Sequence, residues 1–215
     1  MNSKEIFKHV DHTILKACST WQQVRLLCDE AVEHQMASVC IPPSFVKGVK
    51  NEYGEKLTVC TVIGFPLGYN TTKVKVFELK EAIADGADEV DMVINLGWVK
   101  EGNFKAAADE IAELKAAAGD KILKVIVETC YLTELEKETL CACVTEAKAD
   151  FIKTSTGFGT AGATLKDIEL FKKHIGPNVK IKASGGIRTY EDFAAYLNAG
   201  CERLGASSAI KVLSR

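Results

Sequence analysis

Three times this chain leaves a polar, helix-forming stretch through alanine or glycine and runs at once into a short apolar segment. The three places are Ala84-Asp-Gly-Ala-Asp-Glu-Val-Asp-Met-Val-Ile94, Glu146-Ala-Lys-Ala-Asp-Phe-Ile-Lys153 and Asn198-Ala-Gly-Cys-Glu-Arg-Leu-Gly205. Glycine after a helix acts as a C-terminal cap, and a strand that follows within a few residues has to return parallel to its predecessor. The repeating unit is therefore helix then strand, and the class is α/β.

Apolar, β-favouring runs place strands at Val10 to Leu15, Ser38 to Ile41, Leu57 to Ile63, Glu89 to Asn95, Ile122 to Thr129, Asp150 to Thr154, Val179 to Ser184 and Arg203 to Ala206. Helical patterns fill the gaps, most clearly over Lys105 to Ala118, where strong helix formers carry an apolar stripe. An open, doubly wound sheet is the rival arrangement, but no G-x-G-x-x-G follows the first strand. A closed (β/α)8 TIM barrel puts its site on the loops after the strands, where the Ser, Thr and Gly clusters of this chain fall. The 215 residues, 47% hydrophobic and 26% charged, contain no linker or low-complexity tract, so residues 1–215 read as one TIM-barrel domain.

A net charge of −2 with dispersed lysines gives no basic face for nucleic acid. No run reaches the roughly 18 apolar residues that span a membrane. Eight cysteines include no C-x-x-C pair and sit in apolar contexts, which points to reduced thiols and a cytoplasmic protein. The expected ligand is small.

Alternation along a strand places Asp91, Val93 and Asn95 on one face and Val90, Met92 and Ile94 on the other. The apolar set belongs against the helices, which leaves Asp91 in the lumen. The same count turns Lys153 inward with Phe151 and Ser155, and Lys182 with Lys180 and Ser184. An amine stripped of water is a potential nucleophile, although a buried ion pair explains any single strand lysine equally well. Lys124, with several strand residues still to follow, is expected low in the barrel and away from any site.

The turns Ser184-Gly-Gly-Ile187 and Gly205-Ala-Ser-Ser208 follow the last two strands, where barrels frequently hold phosphate. Either turn alone could be an ordinary strand-to-helix connection. His9, Asp11 and His12 bring together metal-ligand types, but no further Glu/His pair completes a set, and no metal is expected. Cys40 is a candidate for lining the cavity without doing chemistry.

Taken together, DEVDMVIN, DFIKTSTGF and IKASGGIRT, with VDHTIL, CIPP, VIGFPLG and the closing GASS, resemble the deoxyribose-phosphate aldolase family across nearly the whole chain. The resemblance implies a cofactor-free class I aldolase that reversibly cleaves 2-deoxy-D-ribose 5-phosphate to D-glyceraldehyde 3-phosphate and acetaldehyde. It implies Lys153 as the amine that forms the Schiff base, Lys182 as a neighbouring ammonium that disfavours protonation of Lys153, and Asp91 as its partner in proton transfer. Gly157, Gly186, Ser207 and Ser208 would hold the phosphate, with Thr154, Ser184 and Gly185 beside them, while Asp11 and Thr13 support the relay or the substrate hydroxyls. A homodimer rests on this likeness alone. Family members often continue into a tail ending in tyrosine thought to assist proton transfer; the sequence stops at Arg215, by truncation or by nature, which leaves maximal turnover open, while imine chemistry is expected to survive.

Two other readings share parts of this pattern. A metal-dependent aldolase or sugar-phosphate isomerase needs the phosphate loops but not paired inward lysines, and EDTA separates it. A non-catalytic sugar-phosphate sensor would bind without turnover.

Overall fold

The computed structural model describes residues 1–214; Arg215 lies outside them. Eight parallel strands close in chain order: β1 (Val10–Thr13), β2 (Ser38–Ile41), β3 (Val59–Ile63), β4 (Glu89–Val93), β5 (Ile122–Ile126), β6 (Phe151–Lys153), β7 (Lys180–Ser184) and β8 (Arg203–Ala206), with β8 pairing back onto β1. The expected barrel is the observed one. Six of the eight strands are shorter than expected at one or both termini, because the flanking loop residues continue the same apolar pattern.

The two faces of the sheet separate as the alternation demands. Val90, Met92 and Ile94, with Val39, Ile41, Val125, Ile152, Ile181 and Leu204, join one apolar core between barrel and helices. Burying each such side chain contributes about 1.5–3 kcal/mol relative to exposure. Cys40, Cys60 and Val62 form a separate cluster under Leu15 and Phe65. Asp11, Glu89, Asp91, Lys124, Lys153 and Lys182 are all at most 3% exposed and touch one another, so the lumen is largely ionic.

The helix Phe104–Ala118 shows how local sequence makes the outer layer. The Asn103 side chain accepts from the Ala106 N–H, and Ala107, Ile111, Leu114 and Ala118 present one buried face. The helix stops at Gly119, whose φ of 60° suits a residue without Cβ. Its Glu110 is buried too and pairs at 2.8 Å with Lys75 of the helix Thr72–Ala84. Lys75 also donates to the Val93 carbonyl at 2.8 Å, which ties down the end of β4 two residues past Asp91. No helix among the described residues is long and apolar enough to cross a membrane.

Candidate active site

Strand register sets the chemistry. Lys153 and Lys182 are direct partners across β6 and β7, and Asp91 pairs with Lys124 across β4 and β5. Across the lumen, Lys153 Nζ and Lys182 Nζ each donate to Asp91 Oδ2 at 2.7 Å. Lys182 has a second carboxylate, Asp11 Oδ2 at 2.5 Å. Arg203 closes the floor, donating to Asp11 Oδ1 at 2.5 Å and to Glu89 Oε1 at 2.7 Å.

Lys124 is low in the barrel, as expected, but it is not away from the site. Its ammonium lies 2.9 Å from Asp91 Oδ1, 2.6 Å from Glu89 Oε2 and 3.6 Å from Asp11 Oδ2. Position along the strand predicts its depth relative to Lys153; the register of β4 and β5 sets it directly beside Asp91.

Burial pushes the Asp91 carboxyl up, yet Lys124, Lys153 and Lys182 together outweigh it and hold the group well below the ordinary carboxylate range. Asp11 is lowered in the same way, against its burial, by Lys182, Lys124 and Arg203. Burial works against the Lys182 ammonium, but Asp11 and Asp91 raise it above its ordinary value. Lys124 is raised likewise, chiefly by Asp91. These groups form one charged network.

A cavity of about 730 Å³ opens at the C-terminal ends of the strands. Lys153 reaches it, whereas Lys182, Lys124 and Asp91 do not line it. Thr13, Gly157, Ser184, Gly185, Gly186, Ser207 and Ser208 line it as expected. Gly185 and Gly186 have φ of 80° and 82°, left-handed values that hold the turn open toward the cavity.

Several assignments shift. Thr154 is fully buried behind the wall, where its hydroxyl donates to the Ser184 carbonyl and accepts from the Ser184 N–H, clipping the ends of β6 and β7 together. Cys40 does not line the cavity; it is fully buried beneath Leu15 and Phe65. Asp11 touches the network from below rather than the cavity. His9 and His12 do not converge: His9 Nδ1 faces the Glu202 carbonyl, and His12 Nε2 meets Glu30 at 2.7 Å outside the lumen. Cys40, Cys60 and Asp91 do gather ligand-type atoms within 4.8 Å, but the lysine side-chain nitrogens already occupy Asp91.

Sequence reasoning missed Thr156, Arg188 and Lys211, all of which line the cavity. Arg188 and Lys211 bring positive charge to its Gly/Ser side. As exposed cations they carry no pattern that separates them from ordinary surface charge.

A closed parallel barrel with one lysine at the floor of a Ser/Gly-lined cavity defines a class, the barrel aldolases, lyases that break carbon–carbon bonds. Residues 6–211 match the DeoC/LacD family aldolases, and the chain belongs to that family. It is similar to the deoxyribose-phosphate aldolase of Clostridium botulinum (strain Alaska E43 / Type E3), 57% identical over 213 residues that cover 99% of this chain and 96% of the relative. It is 58% identical over 210 residues to the deoxyribose-phosphate aldolase of Clostridioides difficile (strain 630), covering 98% and 96%. Among solved structures, the tetrameric deoxyribose phosphate aldolase of Aeropyrum pernix superposes with a TM-score of 0.89 at 29% identity, covering 99% of this chain and 91% of that one.

Proposed function

We propose that this chain reversibly cleaves 2-deoxy-D-ribose 5-phosphate to D-glyceraldehyde 3-phosphate and acetaldehyde through a Schiff base on Lys153, in the breakdown of deoxyribonucleosides. The observation that carries the assignment is that Lys153, alone of the three interior lysines, lines the cavity. It also has the fewest carboxylate partners, one against two for Lys182 and three for Lys124. Charge balance points the same way. Asp11, Glu89 and Asp91 face Lys124, Lys153, Lys182 and Arg203, so the network is balanced when Lys153 is an uncharged amine.

The Lys153 amine adds to the C1 aldehyde of the open-chain sugar, and water leaves to give the iminium. A base takes the proton of the C3 hydroxyl, the C2–C3 bond breaks, and its electrons flow to the iminium nitrogen as an enamine. Glyceraldehyde 3-phosphate departs. Protonation of the enamine carbon and addition of water then release acetaldehyde and restore the amine. The iminium is the electron sink, so the bond cleavage requires no metal or other cofactor. Asp91, touching Lys153 and Lys182, is the group placed to move these protons, through water where it does not reach the substrate, and Asp11 holds Lys182 charged from below.

The phosphate belongs at the Gly157, Gly186, Ser207 and Ser208 side of the cavity, with Ser184 and Gly185 in the same wall and Thr13 toward the sugar hydroxyls. Arg188 and Lys211 supply charge there. Thr154 serves by fixing Ser184.

We read residues 1–215 as one domain, because strands from Val10 to Ala206 close into a single barrel. A homodimer fits the exposed apolar side chains Leu67, Tyr69, Val74 and Phe77 and the oligomeric relative; light scattering decides it, a monomer mass at micromolar concentration being the contrary result. Eight free cysteines suit a cytoplasmic protein.

A coupled assay for glyceraldehyde 3-phosphate, run with and without EDTA, tests the reaction. Turnover that survives EDTA is expected. Binding of the sugar phosphate without turnover, or loss of activity with EDTA, contradicts the proposal.

A further inference from the structure

Glu128 lies two residues past β5 with φ 55° and ψ 66°, a left-handed conformation that side chains other than glycine adopt rarely and at a cost. Its carboxylate, in a residue only 3% exposed, accepts from the Thr156 N–H at 3.2 and 3.3 Å and from the Thr156 hydroxyl. That hydroxyl accepts in turn from the Phe158 N–H at 3.0 Å. A strained backbone and a buried charge thus serve one contact with the loop after β6.

That contact continues the sheet by other means. Val127 N–H donates to the Lys153 carbonyl at 3.0 Å and Thr129 N–H to the Thr154 carbonyl at 2.9 Å. Beyond Thr154 the strands part, and the Glu128 side chain takes over the pairing. The residues it holds matter, because Thr156 and Gly157 line the cavity and Gly157 has φ 86°. Glu128 itself does not line the cavity. The fit is close: a Cβ on Gly159 would come within 3.2 Å of the Glu128 carboxyl group.

We propose that Glu128 is a positioning residue that holds Thr156 and Gly157 in the shape that receives the substrate's phosphate, and thereby sets the preference for phosphorylated over unphosphorylated 2-deoxyribose. This rests on the cavity being the sugar-phosphate site. Burial raises the Glu128 carboxyl above its ordinary value, against the Thr156 hydrogen bonds and the Lys153 charge. The competing role is a direct electrostatic effect on Lys153.

Glu128→Gly separates the two roles, since glycine relieves the left-handed backbone while deleting the carboxylate. The readouts are kcat and KM for 2-deoxyribose 5-phosphate and for 2-deoxyribose, thermal melting, and borohydride trapping of acetaldehyde on Lys153. For Glu128→Gly the KM for the phosphorylated sugar rises about tenfold or more, as expected for losing a charge-assisted hydrogen bond, while kcat/KM for the unphosphorylated sugar changes by less than about twofold. Trapping on Lys153 is unchanged. Glu128→Gln, which keeps an acceptor for Thr156, retains most of the preference.

Thr156→Val loses the preference as Glu128→Gly does, and the double variant loses no more than either alone. Equal losses on both sugars, or trapping reduced in step with kcat, overturn the proposal in favour of the electrostatic role. An unchanged preference overturns it outright. Should Glu128→Gly not fold, Glu128→Gln and Thr156→Val decide the matter by the same ratio. Absence of turnover and trapping in the unaltered protein would instead overturn the reading of the site on which the proposal rests.

Discussion

Lys153 and Lys182 share a single oxygen: each side-chain nitrogen lies 2.7 Å from Asp91 Oδ2, and the two residues are direct partners across β6 and β7. They differ in what else they touch. Lys182 is also held by Asp11 and is sealed from the cavity, while Lys153 opens onto it. One carboxylate thus joins a lysine built to stay charged to a lysine placed to meet substrate.

Lys182→Leu removes an acid/base partner and lowers kcat by about 100-fold or more, the lower end of what a positioned proton-transfer group supplies. Because Asp11 and Asp91 raise the Lys182 ammonium above its ordinary value of 10.5, the unaltered enzyme shows no loss of rate from its deprotonation as pH rises from neutral toward that value. A variant with near-normal kcat in steady-state assay contradicts the role.

Gly205 makes room for the same lysine. A Cβ at that position would lie 2.9 Å from Ser184 Cβ and 3.3 Å from Lys182 Cε. Gly205→Ala therefore displaces both, and kcat falls about tenfold, equivalent to about 1.4 kcal/mol in the barrier. Overpacking lowers stability by about 1–3 kcal/mol as well, measurable by urea denaturation. Unchanged kinetics would show that Lys182 has slack the structure does not display.

Acid should loosen the barrel through its lumen. Asp11 and Asp91 are held below their ordinary value of 3.8, so the folded state binds fewer protons than the unfolded one as pH falls through that range. Their stabilisation is complete above pH 3.8 and is lost below it. Asp11→Asn gives a less stable protein at neutral pH, by about 3–5 kcal/mol for breaking a buried pair, with a shallower loss on acidification. An equally steep loss in urea midpoints from neutral to acid pH contradicts this.

Much of this was legible in the sequence because barrels translate strand alternation directly into inside and outside. Asp91, Lys153 and Lys182 face the lumen by that rule, and Val90, Met92 and Ile94 face the helices. What the rule lacks is register. Lys124 lies two residues below the β5 partner of Lys153, yet it is the direct partner of Asp91 on β4 and pairs with it. Thr154 carries a hydroxyl at a loop entrance, as a ligand-binding residue would, but its neighbours in space consume both its donor and its acceptor.

Loop conformation was the other gap. Glu128 belongs to the strand by alternation, and nothing in its residue type announces a left-handed backbone. Its partner Thr156 lies 28 residues away. The ionic lumen likewise emerges only from closure, since Asp11 on β1 meets Lys182 on β7 and Arg203 on β8 from the opposite end of the chain.

The most direct measurement is reductive trapping. Protein incubated with acetaldehyde and borohydride, then digested and sequenced by mass spectrometry, should carry N-ethyl-lysine at Lys153, with Lys153→Arg abolishing both label and turnover. Label on Lys182 or Lys124 in place of Lys153, or no label in an active enzyme, would contradict the account.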